Sequence, residues 1–84
     1  MDIMYDILYT MLEKRGRIKP THLLYKANLS YSMMKKYLDE LIEKEYILET
    51  KTKENYNYLI LTDKGRDFFH ELNKMKEFKD AFGL

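Results

Sequence analysis

The sequence has no cysteine and no tryptophan, and only one proline and three glycines among its 84 residues. Without cysteine there is no disulfide, no Cys-bearing zinc site and no thiol nucleophile. No apolar run approaches the ~20 residues that a membrane-spanning helix needs. No signal-peptide layout precedes the first charges. Charge of one sign is also missing: 15 Lys+Arg stand against 14 Asp+Glu, a net charge of +1. That excludes a protein coating a polyanion by bulk charge and leaves room for one with a local positive face. Catalytic signatures are absent too. There is no Gly-rich phosphate loop, no Ser-His-Asp spacing and no carboxylate pair set in an apolar run, so no enzymatic activity and no cofactor is expected. His22 and His70 are the only imidazoles, and neither has a second ligand at i+3 or i+4, so no metal site is expected. Nothing in the sequence marks a pocket for a small-molecule effector.

What is present is a globular composition, 45% hydrophobic and 35% charged, in a length that suits one domain over residues 1–84. Ile3, Met4, Ile7, Leu8, Met11 and Leu12 form a doubled i, i+4, i+8 stripe, which predicts a first amphipathic helix over residues 2–15. Asp2 and Asp6 near its start and Lys14 and Arg15 near its end suit the helix dipole, and Gly16 is expected to supply a left-handed stop. Arg17-Ile18-Lys19 is long enough only for a turn or a stub of strand. Pro20 fits the first position of a helix, and a short second helix is expected from Thr21 to Ala27. Asn28 tolerates the left-handed conformation that ends a helix, and Ser30 is a good N-cap for a third. That third helix carries Met34, Tyr37, Leu38, Leu41 and Ile42 on one face and Tyr31, Ser32, Lys35, Lys36, Asp39 and Glu43 on the other.

After Tyr46 the apolar period changes from helical to alternating. Ile47 to Thr50 and Tyr56 to Leu61 read as two strands joined by the polar tip Lys51-Thr52-Lys53-Glu54-Asn55, a hairpin with Leu59 and Leu61 on one side and Tyr58 and Ile60 on the other. Thr62 caps a last helix, whose Phe68, Leu72, Met75, Lys79 and Phe82 recur at alternating spacings of four and three. The fold class expected is α+β, mostly α, in the order α-β-α-α-β-β-α.

Two short helices across a tight turn, followed by a hairpin, are the layout of a winged helix-turn-helix. It occupies residues about 20–45, with a wing at about 47–61 and a C-terminal helix at about 63–82. A B-form major groove about 12 Å wide admits one helix with its side chains. The third helix would enter that groove and the wing would reach flanking backbone. Candidate DNA-binding residues are Thr21, Ser30, Tyr31, Ser32, Lys35 and Lys36 in the helix-turn-helix, and Lys51, Lys53 and Asn55 in the wing. The lysines supply cations for phosphate or guanine acceptors, and the hydroxyls donate or accept. Ser30 doubles as the helix cap. Tyr37, Tyr46, Tyr56 and Tyr58 are expected in the core or on the sheet rather than as stacking platforms. On the last helix, Phe68 and Leu72 start at the domain's own core. Met75, Phe78 and Phe82 continue beyond it, so Phe68, Leu72, Met75, Phe78 and Phe82 form the candidate dimer interface.

The sequence also resembles the archaeal small winged-helix transcriptional regulators, a group that includes Sulfolobus DNA-binding proteins with a long C-terminal dimerising helix. The resemblance lies in Lys19-Pro20-Thr21-His22-Leu23-Leu24-Tyr25-Lys26-Ala27-Asn28-Leu29-Ser30-Tyr31, in Lys36-Tyr37-Leu38-Asp39-Glu40-Leu41-Ile42-Glu43-Lys44, and in Leu59-Ile60-Leu61-Thr62-Asp63-Lys64-Gly65-Arg66. It covers nearly the whole chain. It departs at Glu45, where the family usually has Gly, and in a final helix shorter than in the longest members. The resemblance implies the fold, homodimerisation and double-stranded DNA as partner. The expected function is a homodimeric DNA-binding transcriptional regulator, cytoplasmic and nucleoid-associated. A winged-helix protein-interaction module and a non-specific architectural DNA-binding protein are the alternatives, and the last helices of a dimer could pair parallel or antiparallel.

Overall fold

Outside the β-hairpin, the turns of this chain are closed by helix-ending or helix-starting motifs, and these motifs help set the element order. The computed structural model describes residues 3–84. In it, α1 (Ile3–Glu13), β1 (Arg17–Ile18), α2 (Pro20–Lys26), α3 (Tyr31–Glu43), β2 (Ile47–Lys51), β3 (Asn57–Leu61) and α4 (Asp63–Ala81) follow one another as the periodicity predicts. Asp2, placed by the sequence at the head of the first helix, lies outside the described residues.

The helix ends share one device. After α1, the N–H of Gly16 donates to the carbonyl of Met11 at 2.7 Å and that of Arg15 to Leu12 at 3.0 Å. After α3, Tyr46 donates to Leu41 and Glu45 to Ile42, both at 3.0 Å. Leu29 donates to Leu24 in the same way after α2, at 3.2 Å. This crossed pair satisfies carbonyls that a helix end leaves open, and it requires a left-handed residue just past the cap. Arg15, Asn28 and Glu45 fill that role, with φ of 61°, 53° and 63°. Asn28 acts as expected. Gly16 is left-handed as well, at φ 80°, but the residue that stops α1 is Arg15, one position earlier than predicted. The starts of α3 and α4 are capped by side chains: Ser30 Oγ accepts from the Met33 N–H at 3.3 Å, and Thr62 Oγ1 accepts from the Gly65 N–H at 2.9 Å. α2 starts on Pro20 without a side-chain cap.

The sheet is antiparallel with β3 in the middle, in the order β1-β3-β2. Ile18 lies opposite Leu59 and Ile47 opposite Leu61, so these four turn inward together. They meet Ile7, Leu8 and Met11 of α1, Leu23 of α2 and Met34, Leu38 and Leu41 of α3 in one buried core that Phe69 of α4 closes. Two strand boundaries differ from expectation. Lys51 is the last residue of β2, opposite Asn57, rather than part of the tip, and Tyr56 precedes β3.

The last helix meets the core differently from its apolar stripe. Phe69, not Phe68, is its buried aromatic, stacked on Tyr5 of α1 with ring centroids 5.1 Å apart. Phe68 is half-buried and stacks on Tyr46 at 4.3 Å. From Lys74 onward every residue of the chain is exposed.

Candidate nucleic-acid interface

The turn between α2 and α3 fixes which side of α3 faces out. Met34, Leu38 and Leu41 are held in the core, so Tyr31, Ser32, Met33, Lys35 and Lys36 are exposed on the N-terminal half of the helix. Tyr31 is 67% exposed. Ser30, at the cap, lies with its Oγ 3.5 Å from that of Ser32. Thr21 is exposed in the first turn of α2. The structure therefore brings the helix-turn-helix candidates to the surface on two consecutive helix starts. Met33 joins them as an exposed apolar group that the sequence reading left out, its signal being a position off the buried stripe.

Charge on α3 is less one-sided than the lysines alone suggest. Lys35 Nζ lies 3.5 Å from Asp39, with both side chains more than half exposed. Lys36 sits 5.9 Å from the ring centroid of Tyr37, without an ion-pair partner among the described residues. Further along, Lys44 hydrogen-bonds Glu40 at 3.0 Å. That bond, with the charge of Glu40 behind it, holds the Lys44 ammonium above its ordinary value. The C-terminal half of α3 is thus net acidic, with Asp39, Glu40 and Glu43 against Lys44, and its cation without an ion-pair partner among the described residues is Lys36, in the N-terminal half.

The wing tip is tightly closed. The Thr52 N–H donates to the Tyr56 carbonyl at 2.9 Å, and the Asn55 N–H to the Thr52 carbonyl at 3.0 Å. Thr52 Oγ1 accepts from the Tyr56 N–H at 3.2 Å. Asn55 takes φ 69°, so it makes the turn, a role its type suits as well as the contact expected of it. Lys51 and Lys53 are exposed on either side of Thr52.

Two cations outside the expected set stand beside the wing. Arg17 lies over the ring of Tyr58 at 4.0 Å, and Lys19 over that of Tyr56 at 4.6 Å. Their sequence signal is the alternation Arg17-Ile18-Lys19: a buried middle residue turns its neighbours to the opposite face.

The candidate dimer residues lie at the other end of the molecule. Phe68 and Leu72 are half-buried against the core, whereas Met75, Phe78 and Phe82 are 58%, 59% and 68% exposed. An open groove of about 390 Å³ runs between α1 and the distal part of α4, and none of its lining residues belongs to α2, α3 or the wing. Among the described residues no cluster of His, Asp and Glu has metal-ligand geometry, and no helix is long and apolar enough to cross a membrane.

Comparison with known proteins agrees with this geometry. F93 from STIV, a winged-helix DNA-binding protein, superposes with a TM-score of 0.77 at 25% identity, over 89% of this chain and 85% of that one. Sso10a-2, a DNA-binding protein from Sulfolobus solfataricus, gives 0.71 at 25% identity over 96% and 84%. A MarR-family transcriptional regulator from Silicibacter pomeroyi shares the fold at 0.74 and 15% identity, with 98% of this chain spanning 57% of that one. No curated protein matches the sequence. The family model for the winged helix-turn-helix matches residues 1–80, and the chain belongs to that family.

Proposed function

We propose that this protein is a homodimeric DNA-binding regulator of transcription, cytoplasmic and associated with the nucleoid. Each protomer sets α3 in a major groove and lays its wing on flanking backbone. The observation that carries the reading is the exposed start of α3, where Tyr31, Ser32, Lys35 and Lys36 face outward while Met34 and Leu38 anchor the other side. Lys35 and Lys36 supply charge to phosphates or guanine acceptors, and Tyr31, Ser32 and Thr21 supply hydroxyls. Ser30 spends one of its two oxygen lone pairs on the cap and keeps a proton to donate. Lys51, Lys53 and Asn55 of the wing extend the contact.

The Lys35–Asp39 pair is no obstacle. Exposed ion pairs contribute about 0.2–1 kcal/mol, less than a phosphate offers in exchange. The descriptions of F93 and Sso10a-2 as DNA-binding proteins support the same reading. Dimerisation through Met75, Phe78 and Phe82, with Phe68 and Leu72 at the inner end, would set the two α3 helices to meet successive major grooves about 34 Å apart. Occupying a promoter then acts on polymerase by exclusion or recruitment. The reading invokes no cofactor, metal or small-molecule effector.

Fluorescence anisotropy of a mixed-sequence duplex of about 30 base pairs, titrated across a salt series, tests it. The expected slope of log affinity against log salt is about −4 to −7, or roughly 4–8 phosphates neutralised. Replacing Lys35 and Lys36 together by Ala should weaken binding about tenfold or more with the fold intact. An undiminished affinity in that variant would remove α3 from the interface. No binding even at low salt would overturn the reading and make α3 a surface for a protein partner. Equal affinity for all duplexes would mark an architectural role instead of a regulatory one.

A further inference from the structure

The outer face of the sheet carries an arrangement that the helix-turn-helix and the wing tip do not use. β1 runs antiparallel to β3, with Arg17 opposite Ile60 and Ile18 opposite Leu59. Ile18 and Leu59 are buried, so Arg17, Tyr58 and Ile60 share the opposite, outer face. Toward the hairpin turn the side chains interleave. Arg17 covers Tyr58 at 4.0 Å, and Lys19 lies 5.8 Å from Tyr58 and 4.6 Å from Tyr56. A cation over an aromatic face is attracted by the ring quadrupole, which fixes a long side chain that would otherwise sample many rotamers. The ring takes one side of each cation and leaves N–H donors pointing away from it.

These cations differ from Lys35 in one respect that matters for an anion. Among the described residues neither Arg17 nor Lys19 has a carboxylate within ion-pair distance, whereas Lys35 faces Asp39. Residues two apart along an extended chain stand about 6.6 Å apart, close to the interval between neighbouring phosphates of one DNA strand. The strip is also continuous with the surface described above. Lys19 is the N-cap of α2, one residue from Pro20 and two from the exposed Thr21, and Tyr56 closes the wing turn through Thr52.

We propose that Arg17 and Lys19, held on the rings of Tyr58 and Tyr56, form a phosphate-contacting strip along the outer face of the sheet. It binds the backbone of the duplex whose groove receives α3, between the start of α2 and the wing. The inference rests on the DNA-binding reading. Unpaired positive charge on a pre-ordered platform selects a polyanion, and continuity with α2 and the wing selects the same DNA.

The test is the anisotropy salt series on the full chain, run for the unaltered protein, for Arg17→Gln with Lys19→Gln, and for Tyr58→Leu and Tyr58→Phe. The double variant should lower affinity about tenfold or more and flatten the salt slope by about one unit for each cation that leaves a phosphate. Its circular dichroism and Tm should stay close to the unaltered values, because both side chains are exposed. Tyr58→Leu, which keeps every charge and removes the platform, should lose affinity at unchanged slope, and Tyr58→Phe should bind as the unaltered chain does. If the unaltered protein binds and the double variant keeps its affinity and slope, the strip is overturned while DNA binding stands. If the unaltered protein does not bind, the DNA reading falls and takes the strip with it. If Tyr58→Leu binds like Tyr58→Phe, the platform is overturned.

Discussion

Glu45 ends α3 at φ 63°, a region where a Cβ crowds the following carbonyl, and its neighbours explain why the chain tolerates the cost. Its carbonyl accepts the Thr62 hydroxyl at 2.7 Å, and the Tyr46 carbonyl beside it accepts the Thr62 N–H at 3.1 Å. The turn is thus tied to the start of α4. The Glu45 side chain is exposed, so Glu45→Gly would remove the backbone penalty and cost only unfolded-state entropy. The expected outcome is a gain of about 0.5–1 kcal/mol, read as a rise of several degrees in Tm. Gly65 presents the opposite case. A Cβ there would be driven into the Tyr46 carbonyl oxygen, a backbone atom that cannot swing aside. Gly65→Ala should therefore lose about 1–3 kcal/mol in a denaturant titration. At this scale the sequence was legible where residue type decides: Asn28 as a left-handed stop, Ser30 and Thr62 as caps. It was silent at Arg15 and Glu45, because a left-handed residue past a helix end is imposed by how the turn closes, whatever its type. Arg17 and Lys19 escaped for a related reason. Their rings belong to Tyr58 and Tyr56, some forty residues away, and only the pairing of β1 with β3 brings them together.

The elements themselves were readable because apolar periodicity changes where the structure does: a spacing of 3.6 through α3, of two through β2 and β3, and 3.6 again in α4. The last helix shows where that signal runs out. The stripe through Phe68, Leu72 and Met75 marks one apolar side, but α4 is held by two neighbours on different sides. Tyr46 takes Phe68 and Tyr5 takes Phe69, so two adjacent aromatics both pack. Periodicity ranks faces of one helix and carries no information about how many neighbours surround it. The two positions separate in a stability measurement. Phe69 is 6% exposed, and Phe69→Ala should cost about 3–5 kcal/mol, while Phe68→Ala, at a half-covered site, should cost distinctly less. Equal costs would mean that Phe68 is as much a core residue as Phe69. The Ser30 cap gives a third measure. Ser30→Ala should cost about 1 kcal/mol and fray the first turn of α3, where Tyr31 and Ser32 sit and on which Lys35 follows, so duplex affinity should fall along with Tm.

At the scale of the whole molecule, the lower part of α4 is the feature a single chain leaves unexplained. The helix spans 19 residues, about 28 Å, and its last buried side chain is Phe69. Beyond it, Met75, Phe78, Phe82 and Leu84 are exposed, with the Phe78 and Phe82 rings 4.7 Å apart. A helical end this short, without tertiary cover, is marginal in water. Burying side chains of this size would stabilise it by about 1.5–3 kcal/mol each. A second copy of the helix, in the homodimer proposed above, would supply that cover by symmetry and would also occupy the groove beside α1. The prediction is therefore a Tm that falls on dilution, since folding and association would be one equilibrium, with each tenfold step worth about 1.4 kcal/mol of dimer stability. Replacing Met75 and Phe78 by Glu should remove the concentration dependence, reduce helicity in the distal α4, and give a monomer in sedimentation equilibrium. The same variant should bind one duplex half-site with the affinity of a single α3 and wing, losing the gain that two linked sites provide. A chain that is monomeric at high concentration with α4 fully helical would show that the helix holds itself. The two α3 helices would then have no fixed spacing to match successive grooves.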